Sequence, residues 1–160
     1  MKKTLVTLGM VVCFAAGVIA QSTEKEEIDA MQANFGIQKK ELIVKLIKMT
    51  PEQSSKFWPL YDAYENERKA LGKERVQMIK NLSDAYDHMT PEKADAVTMQ
   101  SIGLSDKYNK LMEKYYKSIK KDVGPEIGFE FYQAETYILT ATRAYIMDEI
   151  PLFSNVKKMK

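Results

Sequence analysis

Apolar residues recur along this chain at three- and four-residue steps, the period of a helix that buries one stripe. The first stripe runs Ile28, Met31, Phe35, Leu42, Leu46 and Met49, with Ile43 and Ile47 widening its second half. It predicts a helix over 24–49. Phe57, Leu60/Tyr61, Tyr64, Leu71, Met78/Ile79, Leu82 and Tyr86 predict a second over 51–88. Leu104, Tyr108, Leu111, Tyr115 and Ile119 predict a third over 91–122, in the three-four alternation of a hairpin seam. Ile127, Phe131, Ala134, Ile138, Ala141 and Tyr145 predict a fourth over 125–149. No stretch of useful length alternates with period two. The expected fold is all-α, about four helices forming long antiparallel hairpins with some curvature.

The starts of the helices are written in the polar positions. Met-Thr-Pro-Glu occurs at Met49–Glu52 and again at Met89–Glu92. Thr50 and Thr90 suit the N-cap, where a hydroxyl accepts from a free first-turn N–H. Pro51 and Pro91 suit the first helical position, where a missing N–H is harmless. Glu52 and Glu92 place negative charge at the positive end of the dipole. Gln53 completes a capping-box spacing from Thr50, whereas Lys93 does not complete one from Thr90. Val123-Gly124-Pro125-Glu126 is a degraded third copy.

Two residues are weak points. Gly36 costs roughly 1 kcal/mol against alanine inside a helix and is expected to bend or fray it. Pro59 lies in the third turn of the second helix and removes a backbone hydrogen bond, so curvature is expected there. A helix over 51–88 would be roughly 55 Å long, too long for a compact globule of this size.

Residues 1–20 read as an export signal: basic Lys2 and Lys3, an apolar run from Leu5 to Ile19, and Val18-Ile19-Ala20 before the expected cleavage point. The run is short of the roughly twenty apolar residues of a membrane span, and Glu24, Glu26 and Glu27 follow it closely. Cys13 belongs to that apolar run. The mature part, 21–160, is then a single domain of about 140 residues with no cysteine, which excludes disulfides and thiolate chemistry. A short basic tail, Lys157-Lys158-Met159-Lys160, closes it. Removing Lys2 and Lys3 lowers Lys+Arg from 24 to 22, equal to the 22 Asp+Glu, so the mature chain is neutral. That balance gives nucleic-acid binding no support. Export, without stable membrane insertion after cleavage, predicts a periplasmic protein of a Gram-negative envelope.

Catalytic and metal signatures are sparse. His88 is the one histidine, beside Asp87 and Met89, which makes a four-ligand zinc site improbable. It reads as a helix-end residue facing water or the dipole, with metal binding as the alternative. Glu-x-x-His pairs of di-metal bundles and a nucleophile elbow are both missing. Carboxylate pairs such as Glu126/Glu130 read as a solvated face rather than acid–base machinery. No enzyme activity, cofactor or metal is expected.

Met31, Met49, Met78, Met99, Met112 and Met147 are spread over all four helices, as core filling or as an adaptable binding surface. Phe57, Tyr61 and Tyr64 share a helix face, with Trp58 rotated by about 100°. Phe131, Tyr132, Tyr137 and Tyr145 form a similar concentration on the fourth helix. These rings either pack together at one end of the bundle or contact partner proteins. Phe57, Trp58, Tyr61 and Tyr64 are the candidate client- or partner-binding residues.

With its export signal and a mature part free of cysteine, the chain resembles the Spy/CpxP family of periplasmic helical proteins. Their Leu-Thr-x-x-Gln motif is matched by Met49-Thr50-Pro51-Glu52-Gln53, with Met for Leu, while the second copy departs at Lys93. It is also similar to uncharacterised exported bacterial proteins with Thr-x-x-Gln followed by Phe-Trp-Pro-x-Tyr, here Phe57-Trp58-Pro59-Leu60-Tyr61. Gln133-Ala134-Glu135 and Ile150-Pro151-Leu152 extend that likeness. The resemblance implies a thin, curved helical protein, often a homodimer, that holds unfolded or envelope proteins without ATP. It equally implies two alternatives: an adaptor of an envelope sensor, or a metal-sensing helical protein. The strong positive concave charge of such chaperones is not evident in a neutral chain.

Overall fold

The computed structural model describes residues 24–148. The signal reading of 1–20, Cys13, Ile150-Pro151-Leu152 and the basic tail lie outside these residues. The side chains of Ile28, Met31, Tyr145 and Met147 are likewise outside the described set.

Four helices make up the described chain: α1 (Glu24–Leu46), α2 (Pro51–Ala85), α3 (Pro91–Asp122) and α4 (Pro125–Asp148), with a short 3₁₀ turn at Tyr86–His88 after α2. No strand occurs among the described residues. Short connections force each helix to run against the one before it. α2 packs on α3, α3 on α4, and α1 on both α2 and α4, which closes a four-sided bundle. α2 and α4 then meet across its interior through their aromatic side chains.

The helix starts are built by caps. Thr50 is extended (φ −66°, ψ 162°), and its Oγ1 accepts from the Gln53 N–H at 3.2 Å. The Gln53 Oε1 accepts in return from the Thr50 N–H at 2.9 Å, completing a capping box. At Thr90 only one half forms, the Lys93 N–H donating to the hydroxyl at 3.3 Å. α1 ends at Leu46 rather than Met49. Its last N–H bond, Ile47 to the Ile43 carbonyl, is made at 2.9 Å. Thr50 must then be extended, both to cap α2 and because Pro51 disfavours a helical residue before it. The α-helical part of α2 stops at Ala85, three residues before His88. It continues through Pro59, as α1 continues through Gly36.

Between α3 and α4 only Val123 and Gly124 intervene. Gly124 has φ +144°, a region that side chains rarely enter, and its N–H reaches back to the Ile119 carbonyl at 3.1 Å. Its own carbonyl accepts from Gly128 at 3.0 Å, so one residue closes α3 and opens α4. A Cβ on Gly128 would lie 3.3 Å from the Lys120 backbone, which shows how closely the two helices approach beside the turn.

The α3 stripe is buried throughout: Leu104, Tyr108, Leu111, Tyr115 and Ile119 all lie inside. Ile127, Phe131, Ala134 and Ile138 of α4 join it, but Ala141 is exposed. On α1 the buried line is Ile43 and Ile47, and Leu46 is exposed, so the packed stripe is rotated from the sequence reading toward the wider edge. Met78 and Met112 fill the core, Met49 packs against it, and Met99 faces solvent. The main core gathers at the end of the bundle near the α1–α2 and α3–α4 connections. A small second cluster, Met78, Leu104 and Tyr108, lies further along. Beyond it the first turns of α3 (91–102) are exposed apart from half-buried Val97.

Candidate functional site

Three of the four aromatic residues that the sequence offers as a partner surface are core. Phe57 and Tyr61 are fully buried and Tyr64 almost so. They close around Phe131 of α4: Tyr64 meets it edge-on at 5.2 Å, Phe57 and Tyr61 at 6.4 Å each. Tyr64 also meets Tyr115 of α3 at 5.5 Å. Edge-to-face packing of this kind adds about 0.5–1.5 kcal/mol per pair beyond burial. Rings so enclosed offer nothing to a partner, which corrects the reading of Phe57, Tyr61 and Tyr64 as contact residues. Trp58 is half-buried at the margin. Its indole N–H donates to Ser54 Oγ at 2.9 Å, and Lys40 Nζ sits 5.0 Å from its ring.

One turn deeper the same helices bury a cluster of charges. Lys39 Nζ donates to Glu65 Oε1 at 2.6 Å and lies 2.6 Å from Glu135 Oε2. Glu65 also accepts from Arg68 Nε at 2.9 and 3.0 Å. The Tyr64 hydroxyl donates to Glu135 Oε2 at 2.6 Å, and Lys39 Nζ stands 4.9 Å from the Tyr64 ring centroid. Lys39, Glu65, Arg68 and Glu135 are all buried, two cations against two carboxylates. Burial pushes the Tyr64 hydroxyl well above the ordinary phenol range, and the adjoining Glu135 carboxylate adds to it. Tyr61 is raised by the same causes; its hydroxyl is near Glu135 but lacks a well-formed hydrogen bond. Groups this enclosed meet no substrate in this conformation. The cluster ties α1, α2 and α4 together and fixes which faces turn inward, since a rotated helix would strand a buried charge.

Composition and spacing alone did not single out this cluster, yet a signal was present. Lys39, Arg68 and Glu135 each occupy a helical-period slot in an otherwise apolar stripe. The gap between Tyr64 and Leu71 in the α2 stripe is where Arg68 stands.

The exposed apolar groups lie elsewhere. On α4, Phe129, Tyr132 and Tyr137 are 59%, 44% and 68% exposed. Tyr132 meets Tyr116 of α3 at 6.3 Å. Phe129 and Tyr132, with Asn109, Met112, Glu113 and Tyr116, line an open groove of about 450 Å³ between α3 and α4. Ile37 and Val44 are exposed two turns apart on the outer face of α1. His88 is exposed, and its carbonyl accepts from Lys93 Nζ at 3.4 Å. Among the described residues no group of three or more His, Cys, Asp or Glu side chains is placed to hold a metal. No described helix is long and apolar enough to cross a membrane.

Comparison with known proteins returned no match: no protein family, no curated protein and no solved structure is significantly similar to the chain.

Proposed function

We propose that the mature chain is an exported, non-enzymatic protein-binding protein, an ATP-independent chaperone or stress adaptor of the bacterial periplasm. The observation that carries this reading is the set of exposed aromatic residues on α4, where Phe129 and Tyr132 line the α3–α4 groove and Tyr137 stands in solvent further along the helix. Aromatic side chains lose little rotamer freedom when they are covered and are enriched where proteins meet. A shallow, open groove suits loosely held extended segments with apolar side chains better than a small substrate, which calls for enclosure. The four-helix fold supports the reading only by supplying a rigid support for that face. The earlier candidates around Phe57 give way to this surface, with Trp58 as a marginal contributor.

The test is light scattering by a chemically denatured client diluted into buffer with and without the purified mature chain. The chain is expected to suppress aggregation at molar excess, and the triple change Phe129→Ser, Tyr132→Ser, Tyr137→Ser to abolish suppression while leaving the melting temperature close to wild type. Absence of suppression by the wild-type chain sinks the chaperone reading. Capture of one saturable envelope partner, with no effect on generic clients, selects the adaptor.

A further inference from the structure

Past the neutral charge cluster, the bundle carries two more half-buried cations that pair with no carboxylate among the described residues. Arg75 of α2 and Arg143 of α4 are half-buried at the level of Tyr108 of α3, which is itself buried; Arg143 stands one turn beyond Leu139, which packs on the same small cluster. Arg75 stacks its guanidinium on that ring, Cζ 4.8 Å from the centroid. Burial lowers the Arg143 guanidinium from its ordinary range, and the Arg75 charge lowers it further. The two cations therefore repel one another.

Three of their hydrogen-bonding nitrogens have no partner among the described residues. Arg75 Nε, Arg143 Nε and Arg143 Nη2 are all buried with no acceptor. Nε and Nη2 form one edge of a guanidinium, the edge that takes two oxygens of a single oxyanion. The carboxylate next in sequence to Arg75, Glu74, is turned outward onto Lys107 at 2.7 Å. Around Tyr108 lie the apolar side chains of Leu104, Met78 and Leu139, which lower the local dielectric and strengthen any ionic contact. A buried charged donor without an acceptor is costly, so these three nitrogens call for a counter-ion.

We propose that Arg75 and Arg143 form a binding site for a phosphate-type oxyanion. A doubly charged tetrahedral anion balances both guanidiniums, and its several oxygens can accept from Arg143 side-on and from Arg75 at once. The site is independent of the α4 outer face, whose three aromatic residues it does not use.

The experiment is titration calorimetry of the purified chain with inorganic phosphate, together with thermal melts in phosphate and in chloride at equal ionic strength. Saturable binding and a higher melting temperature in phosphate are expected. Arg143→Gln is expected to weaken binding by roughly tenfold or more, as is Arg75→Gln. In phosphate-free buffer Arg143→Gln should melt no lower than wild type, because it removes a repulsion, so loss of binding cannot be charged to misfolding. Lys121→Gln, an exposed change at the far end of α3, should bind as wild type. Glycerol phosphate and phosphatidic acid vesicles separate the sources: an Arg143-dependent response to the first alone indicates a free phosphate compound, and to the vesicles a lipid headgroup. No saturable phosphate binding, or undiminished binding by both arginine variants, overturns the proposal.

Discussion

Lys39 of α1 and Glu135 of α4 meet at 2.6 Å with both side chains 2% exposed. Removing Glu135 leaves the two buried cations Lys39 and Arg68 sharing the one carboxylate of Glu65, and an uncompensated buried charge costs about 3–5 kcal/mol. Glu135→Ala also takes the acceptor from Tyr64. It is expected to lower stability by that amount in urea denaturation, while exchange of the exposed pair Lys40–Asp62 for alanines changes it by less than about 1 kcal/mol.

The two neighbouring tyrosines should respond differently to loss of their hydroxyls. Tyr64 donates to a buried carboxylate, so Tyr64→Phe should cost about 1.5–3 kcal/mol. The Tyr61 hydroxyl is buried without a partner, so Tyr61→Phe should be nearly neutral or stabilising. Equal losses in paired denaturation curves would refute this difference.

Alkaline pH should unfold the protein. Tyr64 and Tyr61 are raised by burial and by the adjacent carboxylates, and Tyr115 is raised to about 12 by burial and by its bond to Glu67. The folded state therefore keeps phenol protons that the unfolded chain releases near pH 10. Stability from these groups is full below about pH 10 and falls as pH rises from there, for Tyr115 through about 12. Phenolate absorbance followed beside helical ellipticity should show these tyrosines ionising only as the helices melt.

The α3–α4 turn should be intolerant of side chains. Gly124→Ala forces a Cβ into φ +144° and should cost about 1–3 kcal/mol. Gly128→Ala presses on the Lys120 backbone at 3.3 Å and should also destabilise. Gly103→Ala, with open space around its Cβ, should stabilise α3 by up to about 1 kcal/mol. Thermal melts of the three variants check the order.

The helices were legible because their signals are local. Thr50, Pro51 and Gln53 act within one turn, and the Leu104–Ile119 stripe needs only the helical period to be read. What escaped was which way each stripe turns and what stands opposite. Leu46 and Ile43 look alike as apolar residues, and only the bundle decides that Ile43 goes in. A single ring type serves two ends: Tyr61 and Tyr137 share a chemistry but not a location, so sequence leaves both packing and partner contact open for the rings around Phe57, and the bundle decides for packing. The Lys39–Glu65 and Lys39–Glu135 pairs join residues 26 and 96 positions apart in sequence, beyond the reach of any local period.

The exposed first turns of α3 carry a kinetic consequence. From Pro91 to Ile102 this helix has almost no apolar burial, while Leu111 to Ile119 sit among aromatic rings. Short excursions that fray residues 91–102 leave the aromatic cluster untouched, whereas releasing an amide near Tyr115 requires the bundle to come apart. Amide hydrogens along this one helix should thus trade with solvent deuterium over a steep range of rates. The slow end should respond strongly to added urea and the fast end hardly at all.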